Sequence, residues 1–154
     1  MTESDFITII GTIITIISMI VTMLYANKAK KYKEQIQFDI RKINLSSIVD
    51  KLKRIQDEVR KLPKTLPPKR GIKVDDILIT IKSHFDYVLN LLDSDGPDSE
   101  IKTYIKSAQS SLNSYETSFS SNQDNNDEVV FITEYIQEAI SKSNTKILIL
   151  EKDL

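Results

Sequence analysis

The chain has no cysteine, no tryptophan and a single histidine in 154 residues. Without thiols there are no disulfides, thiolate metal sites or cysteine nucleophiles, and the composition agrees with a reducing compartment. The lone histidine, His84, excludes paired-histidine zinc sites and leaves no serine triad within reach. Glycine is also scarce, at three residues, and no Walker lysine motif or glycine-rich dinucleotide loop is present. DSDGPDSE begins like a calcium loop, but its glycine and terminal acid are misplaced. Asp75 and Asp76 are adjacent and therefore point differently on a helix. No catalysis is expected, and neither a metal nor another cofactor.

Charge is missing altogether from residues 6–25, FITIIGTIITIISMIVTMLY. At about 1.5 Å per residue, twenty helical residues span a hydrocarbon core about 30 Å thick, so a transmembrane helix is expected. Thr8, Gly11, Thr15, Ser18 and Thr22 recur at three- and four-residue steps, and eight isoleucines fill most of the remaining positions. One face is small and hydroxylated, suited to helix–helix contact in an oligomer and, if the helices separate or rotate, to lining an opening. The bland reading is that serine and threonine are tolerated in membrane helices because they bond back to carbonyls.

Glu3 and Asp5 precede the span, whereas Lys28, Lys30, Lys31 and Lys33 follow it. The positive-inside rule then predicts an uncleaved single-pass anchor, N-terminus outside and C-terminal domain cytoplasmic. A cleaved signal peptide fits poorly, because a basic n-region and a small-residue cleavage site are both missing.

The net charge of −1 conceals an asymmetry. Residues 28–73 carry fifteen basic and five acidic side chains, and residues 74–154 six basic and fifteen acidic. Part of the basic half serves membrane lipids, where each cation near an anionic surface is worth roughly 1 kcal/mol. The remainder, residues 51–73, is available to pair with the acidic half or to bind a separate anion.

Every other signal is helical. The expected architecture is all-α: residues 1–26 as tail and transmembrane helix, 27–44 as a basic stalk, and 45–154 as a cytosolic helical bundle. The stalk keeps the register of the span through Tyr32, Ile36, Ile40 and Ile43. After Asn44 the phase slips, marking residues 44–47 as a candidate hinge, with Ser46 or Ser47 as N-cap of a new helix. That helix carries Leu45, Ile48, Leu52, Ile55, Val59 and Leu62 and stops at Pro63. A proline- and lysine-rich connection, KTLPPKRGIK, precedes a second helix capped by Asp75 or Asp76. A third is opened by Asp98 or Ser99, and a fourth runs from about residue 128 to 150. Its end, TKILIL, reads as helix, with a short strand as the alternative.

In the connection, Lys69, Arg70 and Lys73 form a candidate phosphate site, because several cations stand near Gly71, which allows close backbone approach. The bland counterpart is a solvated basic loop. His84 lies at the edge of its helix's apolar stripe, a boundary residue or a weaker adenine or phosphate contact.

FITIIGTIITIISMIVTMLY as anchor, NKAKKYK as cytosolic flank and a helical remainder as sensor make an architecture that resembles the cyclic tetra-adenylate-binding membrane effectors of type III CRISPR antiviral defence. The resemblance implies a homo-oligomer, a tetramer, whose cytosolic domains capture cyclic tetra-adenylate and rearrange the transmembrane helices to permeabilise or disrupt the membrane. Two other classes stay open: a membrane-anchored scaffold or adaptor, and a phage holin-like lysis protein.

Overall fold

The computed structural model describes residues 3–64, 73–92, 96–121, 123 and 126–152, with side chains from Ile7 onward. Among these, four α-helices and no strand are found: α1 (Glu3–Val59), α2 (Val74–Asn90), α3 (Ser99–Ser120) and α4 (Asn126–Lys152). The chain divides into two units, Met1–Arg41 and Lys42–Leu154.

The first unit is helix throughout its described residues, and all side chains over residues 7–37 are exposed. It contains the one stretch among the described residues that is long and apolar enough to cross a membrane, with a mean hydropathy of 2.4. Three of its hydroxyls bond back to the helix's own carbonyls. Thr12 donates to the Thr8 carbonyl, Thr15 to Gly11 and Thr22 to Ser18, each at 2.8 Å. In hydrocarbon an unbonded hydroxyl would cost on the order of 4 kcal/mol, so these bonds make Thr12, Thr15 and Thr22 compatible with burial in lipid.

The second unit is a four-helix bundle whose wall order follows from side-chain contacts between the elements. The last turns of α1 meet α2 where Ser47 Oγ lies 3.3 Å from Tyr87 Oη, and meet α4 where Gln56 donates to Gln137 at 3.1 Å. Lys82 of α2 pairs with Glu116 of α3 at 2.6 Å, and Lys142 of α4 with Glu100 of α3 at 2.7 Å. Lys42, early in the bundle part of α1, pairs with Glu151 late in α4, and Lys102, early in α3, donates to the Leu92 carbonyl just after α2. Neighbours therefore run antiparallel, up-down-up-down, as short connections favour.

The core is what the 3.6-residue period dictates. Leu45, Ile48, Leu52, Ile55 and Val59 project from α1 against Ile81 and Phe85 of α2, Ile105 and Leu112 of α3, and Ile132 and Ile136 of α4, all at most 1% exposed. Each such side chain contributes about 1.5–3 kcal/mol relative to exposure. Ser143 is the one buried polar residue among the described ones, and its hydroxyl donates to the Ala139 carbonyl at 2.7 Å. Phe119 is half-buried and stacks on Tyr115 with ring centroids 5.9 Å apart.

Several expected boundaries move. Residues 44–47 are helical, so the hinge and the Ser46 or Ser47 N-cap are replaced by one uninterrupted α1, and the slip in pattern marks a change in which face is buried. Helix α1 ends before Pro63, in a turn where Lys61 and Leu62 donate to the Glu58 and Val59 carbonyls. Neither Asp75 nor Asp76 caps α2. Lys73 holds the N-cap position without a side-chain bond, and the two acids lie in the first turn, where their charge favours the helix dipole. Asp98 holds the N-cap position of α3, as expected, but without a side-chain cap bond; its carboxylate lies 3.3 Å from Lys146 of α4. TKILIL is helix, the end of α4.

Candidate functional site

The wall between α1 and α2 gathers cations around an aromatic ring. Lys51 and Arg54 stand three residues apart on α1, and His84 and Tyr87 three apart on α2, so each pair shares a helix face. Lys51 Nζ lies 5.1 Å from the centroid of the Tyr87 ring, within cation–π range. The Tyr87 hydroxyl is 3.3 Å from that of Ser47, one turn before Lys51. Tyr87 remains 43% exposed, which leaves part of its ring open to a ligand.

His84 is half-buried among these groups. Burial first, and then the charges of Lys51 and Arg54, hold its imidazole below the ordinary histidine range, while Glu58 acts in the opposite sense. The Glu58 carboxylate is itself engaged by Lys61 at 2.6 Å. His84 thus senses a local field that is net positive. A neutral imidazole offers one donor and one acceptor, and the guanidinium of Arg54 offers a planar fork suited to phosphate or carboxylate. Lysine, arginine, histidine and a reachable ring together form a surface whose chemistry is complementary to a planar, anionic molecule.

Of the residues expected to bind phosphate, Lys69 and Arg70 lie outside the described residues. Lys73 is described and does not join His84. Eleven residues along α2 separate them by about 16 Å, and the Lys73 ammonium, 83% exposed, stands 3.8 Å from Asp76. His84 keeps its place in the candidate site, with new neighbours on α1. Lys51, Arg54 and Tyr87 escaped sequence reasoning because their meeting requires knowing that α1 and α2 are adjacent. The signal available was the helical spacing of Ser47, Lys51 and Arg54 along one face of α1.

Thr8, Gly11, Thr15, Ser18 and Thr22 are all exposed on α1, within the first unit. A broader groove of about 420 Å³ follows α3 along Ser110, Asn113, Ser114, Thr117 and Ser118. There the Ser114 and Thr117 hydroxyls already donate to the Ser110 and Asn113 carbonyls, so the groove presents little unmet polarity. Comparison with protein-family models, curated proteins and solved structures finds no match to this chain.

Proposed function

We propose that the protein is a membrane-anchored, oligomeric antiviral effector whose cytosolic helical bundle binds a cyclic oligoadenylate. Binding rearranges the transmembrane helices and permeabilises or disrupts the inner membrane. The observation that carries this reading is the Lys51, Arg54, His84 and Tyr87 cluster, set in a chain that also holds an apolar helix of membrane-spanning length. The cations suit phosphates and the ring suits a nucleobase. Cyclic tetra-adenylate and a tetramer come from the resemblance of the whole architecture to type III CRISPR effectors.

In this reading the first unit lies in and beside the membrane and the bundle in the cytoplasm, with Lys28, Lys30, Lys31 and Lys33 at the inner surface. Ligand drives the change only through unequal affinity for the two arrangements. Moving a two-state equilibrium from 1:99 to 99:1 takes a difference of about 5.5 kcal/mol, which four coupled sites supply at modest cost each.

The test is leakage of dye from anionic liposomes carrying the full-length protein. Leakage that begins on addition of cyclic tetra-adenylate supports an effector; leakage without ligand supports the holin-like class. An adaptor is favoured by a different observation, the exposed Val130 and Phe131 on α4, which suit a protein partner. A stable, nucleotide-independent complex in an intact, non-leaking membrane would move the reading there.

A further inference from the structure

Beyond the span, the first unit keeps large apolar side chains exposed where lipid tails do not reach. Tyr32 is 64% and Ile36 57% exposed, and they stand about 10 and 16 Å of helix beyond Tyr25, the end of the uncharged stretch. Four lysines lie between residues 28 and 33 of the same segment, so water and headgroups surround it.

The face that carries Tyr32 and Ile36 is the face of the hydroxyl stripe. From residue 8 to residue 36, steps of three and four alternate without a break. The membrane half of this seam is Thr8, Gly11, Thr15, Ser18 and Thr22; the remainder is Tyr25, Ala29, Tyr32 and Ile36. A repeat of 3.5 residues on a 3.6-residue helix is the pattern of a left-handed coiled coil, small residues admitting close approach in lipid and large ones filling the seam in water. A Cβ built on Gly11 meets nothing within 4 Å, so its smallness is unused within one chain.

We infer that copies of this chain pair in parallel and in register along this one face, from the membrane out through the stalk. The inference rests on the anchored reading proposed above. An occupant of the seam must be a helix that crosses the bilayer and continues about two turns beyond it, with an apolar stripe in the same phase. A second copy meets each requirement, and copies inserted with the same sidedness are parallel from the outset. Heptad positions then align by themselves: residue 8 with residue 8, residue 36 with residue 36. Ile40 borders the seam on its outer side, and its 52% exposure adds apolar surface there.

Lys28 and Lys33 flank the seam at the positions that meet across a parallel pair. Their like charges oppose association, and salt or anionic lipid screens them. The stalk therefore closes more tightly as ionic strength rises, opposite to a contact held by ion pairs.

The absence of cysteine makes the test direct. Single cysteines are placed in the full-length protein on the seam (Ala29→Cys, Tyr32→Cys, Ile36→Cys) and off it (Lys30→Cys, Glu34→Cys, Gln37→Cys), and carbonate-washed membranes are oxidised. The seam set forms dimers at least about tenfold faster than the off-seam set, as disulfide geometry demands close Cα atoms. Adding Ile36→Glu to Ala29→Cys abolishes its cross-link while the protein stays in the membrane. Equal rates in both sets, or a cross-link untouched by Ile36→Glu, would overturn the parallel seam while leaving ligand binding by the bundle standing. Release of the chain by carbonate would overturn the anchor and the seam together.

Discussion

The ammonium of Lys51 and the ring of Tyr87, 5.1 Å apart, join the last turns of α1 to the end of α2 and bring Arg54 and His84 onto the same wall. That contact offers a candidate ligand surface on two helices, distinct from the candidate in the connection between them.

Charge reversal separates the two locations. Arg54→Glu lowers affinity for a cyclic oligoadenylate by at least about tenfold, the scale of one lost charge-assisted hydrogen bond. Lys73→Glu changes it little, because Lys73 stands about 16 Å away along α2. Calorimetric titration of both variants, with Arg70→Glu beside them, checks this. A larger loss at Lys73 or Arg70 than at Arg54 would return the site to the connection.

The histidine gives binding a pH dependence. His84 is held below its ordinary value of 6.5, so it is neutral at neutral pH, and an anion beside it raises its pKa. Binding therefore takes up a proton, and affinity rises as pH falls through the window below 6.5. The sign for stability is opposite: with the folded pKa depressed, the contribution is present above 6.5 and is lost as pH falls through the folded value. His84→Gln should flatten both profiles, read by titration in buffers of different ionisation enthalpy and by thermal unfolding against pH.

Tyr115 is fully buried, and its hydroxyl donates to the Pro63 carbonyl at 2.9 Å, pinning the turn after α1 to α3. Burial pushes the phenol up to about 12. A raised phenol pKa means that the folded state keeps its proton longer, so stability falls as pH climbs from about 10 towards 12. Tyr115→Phe removes that dependence and costs on the order of 1 kcal/mol at neutral pH, read from denaturant unfolding.

Continuity of α1 is tested with proline. Ser46→Pro in a helix interior loses a backbone hydrogen bond and costs about 3 kcal/mol, whereas at the start of a new helix it would be tolerated. Thermal unfolding of the variant decides between them; an unchanged midpoint would restore the hinge.

The core was legible because its residues obey one period. Leu45, Leu52, Ile55 and Val59 are read as a face wherever α1 is taken to begin, and burial confirms them. The boundary at residues 44–47 was misread because Asn44, Ser46 and Ser47 favour caps in isolation, whereas a helix already running supplies their carbonyl partners and needs no new nucleus. Asp98 does stand at the N-cap of α3, but its carboxylate makes no cap bond and lies beside Lys146, a partner 48 residues away in the chain. His84 stood out by rarity alone. Its neighbours Lys51, Arg54 and Tyr87 did not, since they converge only once α1 and α2 pack side by side.

The measurement closest to the central claim is calorimetric titration of the full-length protein in detergent with cyclic tetra-adenylate, against linear tetra-adenylate and cyclic hexa-adenylate. An effector of this kind shows saturable binding of the four-membered ring alone, abolished in the Lys51→Glu, Arg54→Glu double variant whose helicity by circular dichroism is unchanged. No saturable heat with any of the three, or equal binding by the double variant, would contradict it.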